Sequence, residues 1–267
     1  MTRFSIITVV RNDPVGVIRT LQSVFRQTYP DYEVIVQDGA STDETSDILR
    51  CFGNWIDDLA IEPDDGIYDA MNRALRRATG DYLLFLNAAD FFEDDTVLER
   101  VSQQIDPERD DIWVGTAIDD ETGRAHPYRS EDEFWAGSTL DHQAAFIRTN
   151  LAKDLEYDSR YKIAGDLHFF ARARKKNTHL KQGQMVIARK SFGVGISSNF
   201  IDRLPERLSI LEDIWGKEYP VRQVITNELC ANLAEKFGIS PSYLEHKTAE
   251  ELLIDHQRWV DLLGLEP

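Results

Sequence analysis

Over its first part, to about residue 115, the chain alternates short apolar runs with helix signals, and this constrains it more than any other feature. Phe4–Val10 is a nearly continuous apolar run, as a strand buried on both faces requires. Asp13-Pro14 follows with the pattern of a helix N-cap and a proline at the first helical position, and Ile18, Leu21 and Phe25 give that helix an apolar stripe. Glu33–Gln37 is a second strand. Ser41 and Glu44 have the spacing of a capping box for a helix through Phe52. Asp58–Ile61 and Tyr82–Leu86 are further strands. Between them Asp65–Ala78 places Ile67, Ala70, Met71, Ala74, Leu75 and Ala78 at helical spacing, with Gly80 as the stop. At about 100° per residue, Asp65, Asp69 and Asn72 fall on the opposite face. The expected fold class is α/β, with a mostly parallel central sheet, flanking helices and right-handed crossovers. Ligands of such sheets bind beyond the carboxyl ends of the strands.

From Asp111 the pattern changes. Asp111–Ile118, a turn at Asp119–Gly123 and Arg124–Tyr128 resemble a hairpin, and Ala144–Arg148 is another strand. Gly165–Lys176 has a helical pattern with Leu167, Phe170 and Ala171 inward. Thr178–Lys181 and Met185–Ala188 are short strands. Leu208, Leu211 and Trp215, then Val221, Ile225 and Leu229, then a segment through Leu263, predict a helical C-terminal extension. The expected division is a catalytic domain over 1–199 and the extension over 200–267. Within the first, 1–110 is the nucleotide-binding half and 111–199 the acceptor half.

A formal net charge of −17 excludes a general electrostatic footprint for nucleic acid. The charge is uneven: residues 160–190 carry nine basic side chains against Asp166 alone. That stretch is either a solvated helix face or a surface for a phosphate-bearing acceptor or an anionic membrane. Cys51 and Cys230 lie far apart without metal-like spacing, which fits a reducing cytoplasm better than a disulfide framework. The N-terminus does not have the pattern of a signal peptide, and no apolar run approaches the ~18–20 residues of a spanning helix. A membrane-bound acceptor would therefore be met from the inner face of the membrane. The C-terminal helices are a candidate surface for oligomerisation.

Three acidic clusters fall at strand ends: Asp38, the run Glu62-Pro63-Asp64-Asp65-Gly66, and Asn87-Ala88-Ala89-Asp90. Hard divalent cations take such oxygen ligands, and Mg²⁺ uses one or two protein carboxylates plus substrate phosphates. Each cluster alone reads more readily as turn or cap residues. Their succession along one half of the chain favours a site.

The order and spacing of several segments then carry a resemblance. They are Ser5–Asn12, Asp38–Thr45, Glu62–Asn72, Gly80–Asp90, Asp141-His142-Gln143 and Tyr161–Asp166. Together they resemble the family 2 inverting glycosyltransferases, which have the A-type glycosyltransferase fold, and in particular bacterial polysaccharide-building members. The resemblance spans about residues 3–195. It implies that Thr8, Val10 and Asp38 line a nucleotide-base pocket closed by Asp65, with Asn12, Asn72 and Asn87 also on the donor side. It implies that Asp90, as the last residue of an Asp-x-Asp region, binds Mn²⁺ or Mg²⁺ on the donor diphosphate. Asp166 matches the catalytic base, and His142 and Gln143 match positions facing acceptor or phosphate. The sequence departs from the pattern at Asn87, which stands for the first Asp and is followed by one extra residue before Asp90. The implied partners are a nucleoside-diphosphate sugar, UDP before GDP, and a glycan or lipid-linked glycan acceptor. A nucleotide-sugar-binding protein without turnover is the alternative that Asn87 keeps open. An oxidoreductase is disfavoured, because Gly-x-Gly-x-x-Gly is missing after the first strand.

Overall fold

The computed structural model describes residues 1–125, 140–190 and 200–216. The strands are β1 (Phe4–Val10), β2 (Tyr32–Asp38), β3 (Asp58–Ile61), β4 (Tyr82–Phe85), β5 (Phe91–Phe92), β6 (Ile112–Asp119), β7 (Ala145–Arg148) and β8 (Leu180–Lys190). They form one eight-stranded sheet in the order β3-β2-β1-β4-β7-β6-β8-β5. The helices are α1 (Pro14–Phe25), α2 (Thr45–Cys51), α3 (Ile67–Arg77), α4 (Val97–Ser102), α5 (Thr149–Leu155), α6 (Gly165–Lys175) and α7 (Phe200–Trp215). The chain divides into two compact units. Residues 1–126 and 140–192 form the first, which holds the sheet, and α7 belongs to the second.

The first half follows the sequence periodicities closely. β1 is buried along its whole length because both faces are covered. Ile6 joins Val34, Val36 and Leu84 in a core with Val17, Leu21 and Val24 of α1. Ile7 and Val9 face the other way, with Ile35, Leu83 and Phe85, onto Ala70, Met71, Ala74 and Leu75 of α3. Each such aliphatic side chain contributes about 1.5–3 kcal/mol by leaving water. Asp13 caps α1, accepting from the Gly16 N–H at 2.8 Å, and Pro14 opens the helix.

Several local expectations are corrected. The capping box does not form, because Ser41 turns its hydroxyl to Asp38 and Glu44 caps α2 without a side-chain bond. α3 starts at Ile67 rather than Asp65: Asp64 accepts from the Gly66 N–H, and Gly66 takes φ 112°, which breaks the helix there. The helix ends at Arg77, before the expected stop at Gly80. The two short strands expected over 178–188 are one strand, β8. Of the expected hairpin a single bridge is described, Ile118 with Ala125, and β6 pairs instead with β7 and β8. Residues 126–128 of that hairpin lie outside the described residues, as do the glycine loop 193–198 and the helices expected beyond 216.

Topology gathers the site at one edge. β1, β2, β3 and β4 run in parallel, and β6 and β8 share one direction. Antiparallel β7 lies between β4 and β6, so its entry turn, His142–Ala144, arrives at the edge where the parallel strands end.

Candidate active site

The edge beyond β1 and β2 is a set of fused loops. Asn12 has φ 52° and donates its backbone N–H to Ser41 Oγ at 2.8 Å, while its Oδ1 accepts from the Thr42 N–H at 2.8 Å. The loop after β1 is thus tied to the loop after β2. Asp38 is fully buried and its carboxylate accepts from the Ser41 N–H (3.0 Å), Ser41 Oγ (2.6 Å) and Ser46 Oγ (2.5 Å). Val10 lies opposite Asp38 in the parallel register, and its carbonyl accepts from the Gly39 N–H. Thr8 is also fully buried, donating its hydroxyl to the Leu86 carbonyl at 2.8 Å. Its side chain therefore fastens β1 to the end of β4. Asp65 is exposed, and its carbonyl accepts from Lys162 Nζ at 3.2 Å.

The turn after β4 absorbs the extra residue that separates Asn87 from Asp90. The Asp90 N–H returns to the Asn87 carbonyl at 3.0 Å, and Ala89 takes φ 74°, uncommon for a residue with a side chain. Thr20 Oγ1 holds both ends, 3.2 Å from the Asn87 carbonyl and 2.6 Å from that of Asp90. Asp90 is buried and accepts from Gln143 Nε2 at 3.1 Å. Burial pushes its carboxyl up to about 6, against the positive charges of His142 and Lys190 and the Gln143 hydrogen bond. Asn87 Nδ2 lies 3.2 Å from His142 Nε2. His142 Nδ1 faces Asp166 Oδ2 at 4.0 Å.

Asp166 stands in the first turn of α6, not at its cap, which is Ala164. One oxygen accepts from the Leu167 N–H at 2.8 Å, and the side chain is 23% exposed, enough to meet a ligand. The preceding segment is bolted to α3. Tyr68 donates its hydroxyl to the Ile163 carbonyl at 3.0 Å. A Cβ on Gly165 would lie 2.7 Å from the Tyr68 ring, so this approach admits only glycine. Tyr68 stacks on Tyr157, which stacks on Phe169. Asn72 donates to the Tyr157 carbonyl and accepts from its N–H, both at 2.8 Å.

Among the described residues no three of His, Cys, Asp and Glu stand together as a metal cage. The buried Oδ1 of Asn87 and Oε1 of Gln143 have no hydrogen-bond partner, and the Gln143 amide already meets the Asp90 carboxylate through Nε2. One carboxylate and two amide oxygens fit a hard cation that takes the rest of its shell from phosphate and water.

The model of glycosyl transferase family 2 matches residues 5–183 of the chain. This chain belongs to that family. A PGL/p-HBAD biosynthesis glycosyltransferase of Mycobacterium tuberculosis is 32% identical over 217 residues, covering 75% of this chain and 81% of the relative. S. aureus TarS 1-349 in complex with UDP-GlcNAc superimposes with a TM-score of 0.66 at 19% identity, covering 95% of this chain and 79% of that one. The mannosyltransferase PcManGT from Pyrobaculum calidifontis in complex with GDP-Man and Mn²⁺ gives 0.59 at 18%, covering 97% and 80%. The fold is that of the A-type glycosyltransferases.

In this glycosyltransferase Asn87, Asp90, His142, Gln143 and Asp166 form one connected group. Thr8, Val10, Asn12 and Asp38 sit at the neighbouring strand ends, although the side-chain oxygens of Thr8 and Asp38 serve the loops themselves. Asn72 is corrected: it is buried on the core side of α3, and both amide atoms are spent on Tyr157. The basic stretch is also relocated. Arg172 donates to the Leu155 and Glu156 carbonyls, closing α5, and Arg174 and Lys175 stand in the last turn of α6, the end away from Asp166. Sequence reading misses Tyr68 and Lys190; Tyr68 lies inside a quoted motif, and Lys190 counts there only as surface charge, whereas Asp141 belongs to the motif Asp141-His142-Gln143 read as acceptor-side.

Proposed function

We propose that the enzyme transfers a sugar with inversion from a nucleoside-diphosphate sugar, UDP before GDP, to a hydroxyl of a glycan or lipid-linked glycan. The reading is carried by the contact chain Asn87–His142–Asp166, which joins the end of β4 to the head of α6. Solved proteins of this fold hold UDP-GlcNAc and GDP-Man, which supports a nucleotide-sugar donor. Relatives in PGL/p-HBAD and teichuronic acid biosynthesis support a glycan-type acceptor. Among the described residues no helix is long and apolar enough to cross a membrane. A lipid-linked acceptor would be met at the membrane surface.

Inversion requires the acceptor hydroxyl to approach opposite the leaving diphosphate. Asp166 takes the hydroxyl proton as the acceptor oxygen bonds to the anomeric carbon and the bond to the diphosphate oxygen breaks. His142, with Nδ1 4.0 Å from Asp166 Oδ2, flanks that carboxylate on the side of Asn87. Asp90, with Asn87 Oδ1 and Gln143 Oε1, would hold Mn²⁺ or Mg²⁺. When bound, such a cation supplies positive charge to the departing diphosphate as a Lewis acid.

The test is Asp166→Asn. Donor binding should persist while kcat falls by ~10²–10⁴-fold, the range for loss of a general base. Turnover within a few-fold of the parent would move the base elsewhere. A parent that binds UDP or GDP yet transfers from none of a panel of donors would favour the binding-protein reading.

A further inference from the structure

We propose that Lys190 is a built-in cation for the donor diphosphate, held by Asp141 before donor arrives and handed to the phosphate when donor binds. The inference deepens the donor reading above and rests on it. It gives the leaving group a positive partner that belongs to the protein itself.

Three chain segments converge to make this arrangement. Lys190 closes β8 at the carboxyl edge of the sheet, opposite Asp119 of parallel β6. On its other side β5 runs antiparallel to β8, with Phe91 opposite Arg189. Continuing that register by one residue brings Asp90 opposite Lys190. Side chains alternate along a strand, so Arg189 and Lys190 point to different faces. Arg189 goes to Glu93, at 2.6 and 3.0 Å. Lys190 goes to Asp141, directly before the His142–Ala144 turn, in a hydrogen-bonded ion pair. Both side chains of that pair are only 13% exposed.

Charge balance gives the pair its function. The site already holds Asp90, Asp141 and Asp166, and a nucleoside diphosphate adds further negative charge. The family's first Asp of Asp-x-Asp is replaced by the neutral Asn87, so the protein offers a cation fewer charges than that pattern would. A lysine on the same edge, opposite Asp90 in the continued β5–β8 register, compensates there. An ammonium on a four-carbon stem can change acceptors without moving the backbone. Exchanging Asp141 for a phosphate oxygen keeps Lys190 paired in both states, which avoids the cost of an unpaired buried charge. The exchange also lets Asp141 turn toward the acceptor side, where His142 and Asp166 stand.

The experiment is calorimetry of UDP and UMP, or of GDP and GMP if the parent prefers guanine, each with Mn²⁺ and in EDTA. Lys190→Met should weaken the diphosphate by roughly 10- to 100-fold, as for loss of one charge-assisted contact, and the monophosphate by much less. Lys190→Arg should restore most of the affinity. Asp141→Asn removes the competitor, so it should tighten diphosphate binding, most visibly in EDTA. Unchanged UDP affinity in Lys190→Met, or equal losses for UDP and UMP, would overturn the inference. So would weaker UDP binding in Asp141→Asn, which would make Asp141 a ligand rather than a competitor. If the methionine variant fails to fold, the arginine and asparagine variants decide alone by the same signs. A parent that binds neither UDP nor GDP would instead overturn the donor reading, and this inference with it.

Discussion

Asn72→Ala separates what the sequence pattern assigned to this residue from what the tertiary structure gives it. The asparagine is buried, and its amide makes two 2.8 Å bonds, one to each backbone group of Tyr157. Alanine strands one N–H and one C=O in the interior. Each stranded group costs about 1–3 kcal/mol, so the loss is roughly 2–6 kcal/mol. At ~2–4 °C per kcal/mol for a chain of this size, Tm should fall by roughly 4–24 °C. The proposed donor pocket, at the strand ends, should survive, so the Kd for UDP should stay within a few-fold. Turnover should fall, because Tyr157 leads into the segment that delivers Gly165 and Asp166. Asn72→Asp refines the test. One oxygen still accepts from the Tyr157 N–H, but the other meets the Tyr157 carbonyl and repels it. Only the protonated acid can donate there, so the folded-state pKa is raised above the unfolded one. The variant should be most stable at low pH and lose stability as pH rises through that range. Thermal denaturation across pH, with UDP calorimetry, reads all of this. An unchanged Tm combined with lost UDP affinity would refute the bolt and return Asn72 to the donor site.

Two further outcomes rest on contacts of the same kind. Gly165→Ala would push a Cβ to 2.7 Å from a Tyr68 ring fixed by its hydroxyl and by stacking; overpacking of this kind costs ~1–3 kcal/mol and should lower kcat more than donor affinity, and an active, equally stable variant would show that the ring yields. Glu33 is buried, which raises its carboxyl, but the Ser5 and Thr79 hydroxyls and the Thr79 and Gly80 N–H groups outweigh burial and hold it below the usual range. Its contribution is therefore present above the unfolded glutamate pKa and lost as pH falls through the lower folded value. Glu33→Gln should cost about 1–3 kcal/mol at neutral pH and flatten the acid limb of the stability curve; an unchanged limb would assign that acid sensitivity to other carboxylates.

The strand–helix alternation was readable because it is local. A strand covered on both faces must be apolar at every position, and a helix on a sheet must repeat every three to four residues. β1, β2, β4, α1 and the body of α3 followed from that alone, as did the arrival of Asp38, Asn87 and Asp90 at strand ends. The order of motifs sufficed for the family. Caps and turns were less legible: Ser41 had two acceptable partners, and only the folded loop chose Asp38 over the helix end.

Tertiary structure alone decided which residues meet. Asn72 follows Met71 at the border of the apolar stripe, and its polar side chain pointed the sequence reading to solvent. It is inside because Tyr157, 85 residues later, offers both a donor and an acceptor, and a satisfied polar group can be buried. Asp90, Asp141 and Lys190 lie on three separate segments with no shared spacing. They come together because β7 enters the sheet antiparallel between β4 and β6, while β8 pairs with both β6 and β5. Strand pairing is a long-range choice of register, and a one-residue slip would turn Lys190 to the opposite face of the sheet.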